Sequence, residues 1–250
     1  VGDRCKLFDL TNKSSTSLIL LISYSRTWMK KSIDTTHATL ARYIRWLTPI
    51  LCLLTLVGYF GPWINHKAAA LVISGLDLGE YVKFLSSFRN GTVALWREGF
   101  YWPLVAISLL LSFNVFRAER RYPWWVRWRS VAIALIVALN LLPPAWSPPV
   151  LKSAEFRQQM IALVICGLAA AFSPFLALLP ARIPALLSLL LLMAALWWPI
   201  RGFLAVLPNI SQLYNHSLQP GWGMWVMVLG IIGLAIITTI EVFISWRLRD

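Results

Sequence analysis

Six apolar stretches constrain the fold of this chain more than any other feature of its sequence. They cover about residues 47–63, 100–116, 130–146, 159–179, 184–199 and 222–246. A bilayer is crossed by roughly 20 apolar residues in a helix, within a range of about 17–25. Because hydrocarbon offers the backbone no hydrogen-bond partner, such stretches must be helical. The sequence therefore predicts an all-α fold, a polytopic transmembrane bundle with six spans.

Composition excludes the other broad classes of fold. The 250 residues are 58% hydrophobic and 13% charged, whereas soluble domains carry about 25% charged and 45–50% apolar residues. So few charges cannot cover a soluble surface, and so many apolar side chains do not stay disordered. The cysteines, Cys5, Cys52 and Cys166, are widely separated and indicate neither a disulfide framework nor a metal site.

The basic residues predict the orientation of the bundle. Lys and Arg outnumber Asp and Glu by 23 to 10, and they lie between the apolar stretches, where they contact anionic headgroups rather than nucleic acid. With a cytoplasmic N-terminus, 16 of the 23 fall on the inner side, in agreement with the positive-inside rule. Both termini are therefore predicted to be cytoplasmic. The short connections are typical of a bacterial plasma-membrane protein.

The chain is expected to divide into a cytoplasmic N-terminal segment, 1–46, and a six-helix transmembrane domain, 47–250. We interpret residues 1–28 as an upstream extension or a loosely ordered tail, because their apolar run is too short to span a bilayer and Met29-Lys30-Lys31 is typical of a natural start. The third external connection either re-enters the membrane or lies along it. External connections are expected near 64–99, 147–158 and 200–221.

The first external connection contains an amphipathic pattern. Apolar side chains recur at i, i+3, i+4 and i+7, namely Tyr81, Phe84, Leu85 and Phe88. This spacing predicts an external helix that is capped by Asp77 at its start and by Asn90-Gly91 at its end. Asp77 and Glu80 lie three residues apart on one helical face. They are candidate functional residues that would meet a cation or a basic partner.

Few polar residues lie inside the predicted spans. Glu241 is the one ionisable residue within them, and burying a charge there costs about 2.5–3.5 kcal/mol. It is expected either to pair with a neighbouring arginine or to belong to a transport pathway. Asn140 is a further candidate, because amides bond across helices. Gly230 and Gly233 would permit a close helix approach.

The most distinctive stretch is RAERRYPWWVRWR, between the second and third spans. We interpret it as a lipid-headgroup anchor, with a docking surface for a soluble partner as the alternative. The candidate contact residues are Arg117, Arg120, Arg121, Trp124, Trp125, Arg127, Trp128 and Arg129.

Several sequence motifs of catalysis are missing. The chain has no P-loop, HExxH or GxSxG motif, so no catalytic, cofactor or metal residue is predicted. We expect a non-catalytic, permease-like transmembrane subunit of a transport or assembly complex, whose partners include the lipid bilayer and other subunits, a cytoplasmic ATPase among the candidates. Size and topology, but no motif, are similar to those of the permease subunits of ABC-2-type exporters.

Two alternatives stay open at this stage. The first is a membrane-embedded enzyme acting on a lipid or isoprenoid substrate, which would use Asp77, Glu80, Glu98 or His66. The second is a stand-alone small-molecule carrier centred on Glu241 and Asn140. The sequence contains no motif that would favour one of these alternatives over the other.

Overall fold

A computed structural model describes residues 43–65, 72–91, 95–143, 147–151 and 153–247. The chain divides into two compact units, 1–44 and 45–250. In the first unit, only Tyr43 and Ile44 are described. The expectations for 1–28 and for His66 lie outside the described residues.

The described residues are mostly helical. The longer helices are α1 (Tyr43–Phe60), α4 (Trp102–Asn114), α5 (Trp124–Leu139), α7 (Arg157–Ala171), α9 (Arg182–Leu213) and α10 (Trp222–Arg247). The short ones are α2 (Gly75–Tyr81), α3 (Ser86–Arg89), α6 (Pro148–Leu151) and α8 (Ser173–Leu176). Turns of 3₁₀ helix cover Val82–Phe84, Arg97–Tyr101, Ala118–Arg120 and Ala154–Phe156. The all-α prediction is confirmed.

Within the described residues, four helical segments are long and apolar enough to cross a membrane. They are α1, Ala154–Ala171, α9 and the Trp222–Phe243 part of α10. The helices α4 and α5 have 13 and 16 residues, fewer than the roughly 20 that a span of average thickness requires. By their length and composition, the four apolar segments are compatible with a multi-pass membrane protein.

Helix α9 extends further than the sequence predicts. Residues 200–213 were assigned to an external connection, yet the helix continues through Pro199 and Pro208 to Leu213. Proline removes one ladder hydrogen bond and usually kinks or ends a helix, which is why the pattern pointed to a boundary there. Helices α4 and α10 and the 3₁₀ turn Arg97–Tyr101 pack against α9. Buried residues on it include Phe203, Val206 and Ile210.

The predicted amphipathic helix is divided into short pieces. After α2 the backbone makes a 3₁₀ turn, becomes extended at Leu85 and then forms α3. Leu85 is buried while Phe84 is 79% exposed, so the four apolar residues do not share one buried face. The positive φ of 70° at Gly91 ends this region, as the Asn-Gly pair predicted.

A two-stranded antiparallel sheet precedes α2 and was not predicted. Strand β1 (Pro62–Asn65) pairs with β2 (Val72–Ser74). The fully buried Trp63 lies in this hairpin. Its ring packs edge-on against Phe203, with 5.6 Å between the ring centroids, and its carbonyl accepts a hydrogen bond of 2.7 Å from the Gly221 amide. The hairpin therefore joins α1 to α9 and α10.

Glycines bring α1 and α10 into backbone contact. A β-carbon on Gly230 would lie 2.4 Å from Thr55 Oγ1, and one on Gly233 would lie 3.0 Å from Leu51 Cδ2. The sequence anticipated the close approach at both positions, and the structure identifies α1 as the partner helix. The contact is tightest at Gly58, where a β-carbon would lie 2.1 Å from the Met227 backbone nitrogen.

Candidate functional site

Two clusters of charged side chains lie at opposite ends of α4. One follows its last residue and is centred on Arg120, and the other precedes its first residue and is centred on Arg97. Both arginines are nearly inaccessible, with relative exposures of 7% and 6%. Buried guanidinium groups need partners because they cannot lose their charge.

Arg120 connects three elements of the bundle. Its Nη2 forms an ion pair with Glu241 Oε1 of α10, and its Nη1 donates a hydrogen bond of 3.2 Å to Thr48 Oγ1 of α1. Arg120 itself stands in the 3₁₀ turn after α4. The sequence predicted two alternative roles for Glu241, an ion pair with a neighbouring arginine or a place in a transport pathway. The structure contains the ion pair.

The turn beyond Arg120 is fixed to the start of α1. Tyr122 donates its hydroxyl proton to the Arg45 carbonyl at 2.5 Å, and Arg45 Nη1 donates to the Arg121 carbonyl at 3.2 Å. Burial raises the pKa of Tyr122 to about 12, against an opposing effect of the Arg120 charge. The hydroxyl therefore remains a donor at neutral pH.

The eight candidate contact residues separate into three groups by their exposure. Arg117 and Arg120 are buried, so their side chains contribute to the internal packing rather than to a surface. Arg127 is half-buried and donates from Nε to the Tyr122 carbonyl at 3.0 Å. The remaining five are exposed and form what we call the aromatic–basic surface, Arg121, Trp124, Trp125, Trp128 and Arg129.

The rings of this surface are ordered by local contacts. The Arg129 guanidinium lies 5.1 Å from the centre of the Trp125 ring, within the range of cation–π attraction. Trp128 packs edge-on against Phe116 with 5.6 Å between centroids. Trp124 is 74% exposed and Trp128 is 57% exposed, so both rings are available to lipid or to a partner.

At the other end of α4, Arg97 is surrounded by carboxylates. Its Nη2 lies 2.9 Å from Glu98 Oε1, and its Nη1 lies 3.0 Å from Glu155 Oε1. Burial alone would lower the pKa of Arg97, but the charge of Glu98 and the hydrogen bonds to both carboxylates outweigh it and raise that pKa. Glu155 therefore pairs with both Arg97 and Lys83.

Lys83 joins this cluster to α2. Its Nζ lies 2.6 Å from both Glu80 Oε2 and Glu155 Oε1, and 4.5 Å from the centre of the Phe156 ring. Tyr101 donates its hydroxyl proton to Glu80 Oε1 at 2.9 Å. Sequence reasoning missed this network because its members are up to 75 residues apart, and no local spacing indicates that they meet.

Asp77 and Glu80 have different partners. Asp77 belongs to a capping box, in which the Ser74 hydroxyl accepts from the Asp77 amide and Asp77 Oδ2 accepts from the Ser74 amide at 3.0 Å. The N-cap of α2 is thus Ser74, and Asp77 stands at the third helical position. Glu80 instead pairs with Lys83.

The capping box makes a testable prediction. We expect Ser74→Ala and Asp77→Ala each to lower the free energy of unfolding by about 1 kcal/mol, because each leaves a helix-terminal amide without its acceptor. The double variant should lose less than the sum, since both side chains serve one motif. Denaturant unfolding of the purified protein in detergent measures this, and strict additivity would contradict it.

The other candidates lie apart from the two clusters. Asn140 is the C-cap residue that follows α5, and its Nδ2 donates to the Ile136 carbonyl of that helix at 2.7 Å. His216 is exposed beyond α9. In the part of the chain that the structure describes, no group of three His, Cys, Asp or Glu side chains could hold a metal ion.

No protein-family model, curated protein or solved structure matches the chain.

Proposed function

We propose that the chain crosses the plasma membrane of a bacterium six times, with both termini in the cytoplasm. Each of the six longer helices overlaps one of the six apolar stretches. Helices α4 and α5 become spans if their flanking residues lie in the interface or the bilayer is locally thin. Consecutive spans would then alternate in direction. The arginine-rich end of α4 is placed in the cytoplasm by the positive-inside rule.

Cysteine labelling tests this topology. In a background without native cysteines, Trp124→Cys should resist a membrane-impermeant maleimide in intact cells and react after permeabilisation. Ser217→Cys, on the exposed segment between α9 and α10, should react in intact cells. Labelling of Trp124→Cys from outside would overturn the orientation, and labelling of both from one side would overturn the number of spans.

Within that topology we propose a non-catalytic, permease-like subunit of a transport or assembly complex. The observation that carries this proposal is that each candidate carboxylate is already bound to another group of the protein. Glu80 and Glu98 are held by Lys83 and Arg97, Asp77 caps α2, and Glu241 pairs with Arg120. A general acid or base needs a carboxylate that can exchange protons with a substrate, and these four already have structural partners.

The aromatic–basic surface is the contact that we assign to this subunit. Arg and Trp are enriched in the energetically dominant residues of interfaces. The exposed guanidinium groups of Arg121 and Arg129 favour a soluble partner with an acidic face, for which a cytoplasmic ATPase is the candidate. The competing interpretation is that the same side chains only anchor the bundle to anionic headgroups.

Charge reversal separates these two interpretations. We expect Arg121→Glu/Arg129→Glu to abolish recovery of a stoichiometric soluble partner from digitonin-solubilised native membranes, because two attractive contacts become repulsive. The thermal midpoint should stay unchanged, since both residues are exposed. Arg201→Glu, an exposed position on α9, is the matched control and should retain the partner. Recovery of a chain without any partner from the native membranes would contradict the proposal.

A further inference from the structure

A cavity of about 310 Å³ lies between α4, α7 and α9, and its lining includes Glu98 of the cluster centred on Arg97. Its volume lies near the lower end of the range of about 300–1,000 Å³ that is typical of small-molecule sites. The polar end is formed by Glu98, Tyr101, Gln158 and Gln159. The walls are apolar and include Val105, Leu109, Leu141, Ile161, Ala162 and Ile165.

Gln159 is the unusual residue at the polar end. It is 3% exposed, and its Oε1 has no hydrogen-bond partner among the described residues. Buried amide oxygens are nearly always bonded, because leaving one unpaired forfeits its interaction with water. The neighbouring Gln158 differs in this respect, since its Oε1 accepts a hydrogen bond of 2.9 Å from Trp96 Nε1. The polar end therefore presents an acceptor that lacks a donor.

The charges near the cavity do not favour a charged ligand. Glu98 is already neutralised by Arg97 at 2.9 Å, and the Tyr101 hydroxyl is committed to Glu80. The ligand should therefore be neutral and should supply a hydrogen-bond donor to Gln159.

The walls indicate how such a ligand would enter. Ile161 and Ile165 line the cavity, and each is 51% exposed. Both belong to α7, which together with its preceding 3₁₀ turn is long and apolar enough to span a membrane. The cavity is thus bordered by side chains on the lipid-facing side of α7, so an apolar chain can enter laterally from the hydrocarbon.

We propose that this cavity binds a single-chain neutral lipid whose head group is a hydroxyl. The chain lies along Val105, Leu109 and Ile165, and the hydroxyl donates its proton to the Gln159 amide oxygen. This binding site is independent of the partner surface at the other end of α4.

Photolabelling of the full chain in phosphatidylcholine vesicles tests the proposal. The probes are 1-hexadecanol carrying a mid-chain diazirine and its methyl ether, which has the same chain and no donor. We expect the alcohol to label α4 and α7 about fivefold to tenfold more than the ether, a ratio that corresponds to one hydrogen bond. Gln159→Leu should reduce alcohol labelling to the level of the ether.

Two phenylalanine variants locate the site. Ala162→Phe places a ring in the cavity and should abolish labelling by both probes. Val164→Phe, on the same helix but 54% exposed and outside the lining, should label like the native chain. Equal labelling of the native chain by alcohol and ether would overturn the proposal, as would crosslinks that map away from α4 and α7. Because the probe comparison uses the native chain, a variant that fails to fold does not prevent a decision.

Discussion

Glu241→Leu should lower the free energy of unfolding by about 3 kcal/mol, the scale on which proteins respond when one member of a buried ion pair is removed. The variant leaves Arg120, whose side chain is 8% exposed, without its carboxylate. Arginine cannot relieve this by losing a proton, and the hydrogen bond from Nη1 to Thr48 does not replace a charge. Denaturant unfolding in detergent measures the loss.

Two further variants give this prediction its controls. In Arg120→Met/Glu241→Leu both charges are absent, and we expect most of the lost stability to return, because apolar replacement of a whole buried pair is often neutral. Arg121→Met removes an exposed guanidinium one residue away and should change stability by less than about 0.5 kcal/mol. If Glu241→Leu unfolds like the native chain, the ion pair is not structural and a pathway role for Glu241 becomes the better interpretation.

Gly58→Ala should destabilise the protein by a comparable amount, through steric overlap rather than charge. The new β-carbon would lie 2.1 Å from the Met227 nitrogen and 2.7 Å from the Gly223 oxygen. Both are backbone atoms, so no side-chain rotation relieves the overlap, and α1 must move away from α10. Overpacking typically costs about 1–3 kcal/mol, and we expect a value at the upper end of that range.

Gly167→Ala provides the matched control for this substitution. Gly167 is also helical, in α7, but a β-carbon there would have no neighbour within 4 Å. Alanine is more favourable than glycine inside a helix by up to about 1 kcal/mol. The variant should therefore be as stable as the native chain or more stable. Equal effects of the two substitutions on the thermal midpoint would show that backbone contact between α1 and α10 is not the cause.

Some residues of the candidate sites could be predicted from the sequence and others could not. Glu241 stood out because a carboxylate inside an apolar stretch is costly by itself, so its need for a partner follows from one position. Its partner Arg120 could not be selected from the several arginines of the same connection. The cluster around Arg97 was missed altogether, because Lys83 and Glu155 reach it only through the packing of three separate segments.

Hydropathy by itself determined that this chain is helical and belongs in a membrane, because an apolar stretch has no other stable solution where water is absent. Glycine positions in the last stretch also indicated a close helix contact. The tertiary structure alone decided which helix meets those glycines, that α9 continues through two prolines, and that the Gln159 side-chain oxygen lacks a hydrogen-bond donor among the described residues. These features depend on contacts between residues distant in sequence, and periodicity within a segment carries no information about which distant segment it will contact.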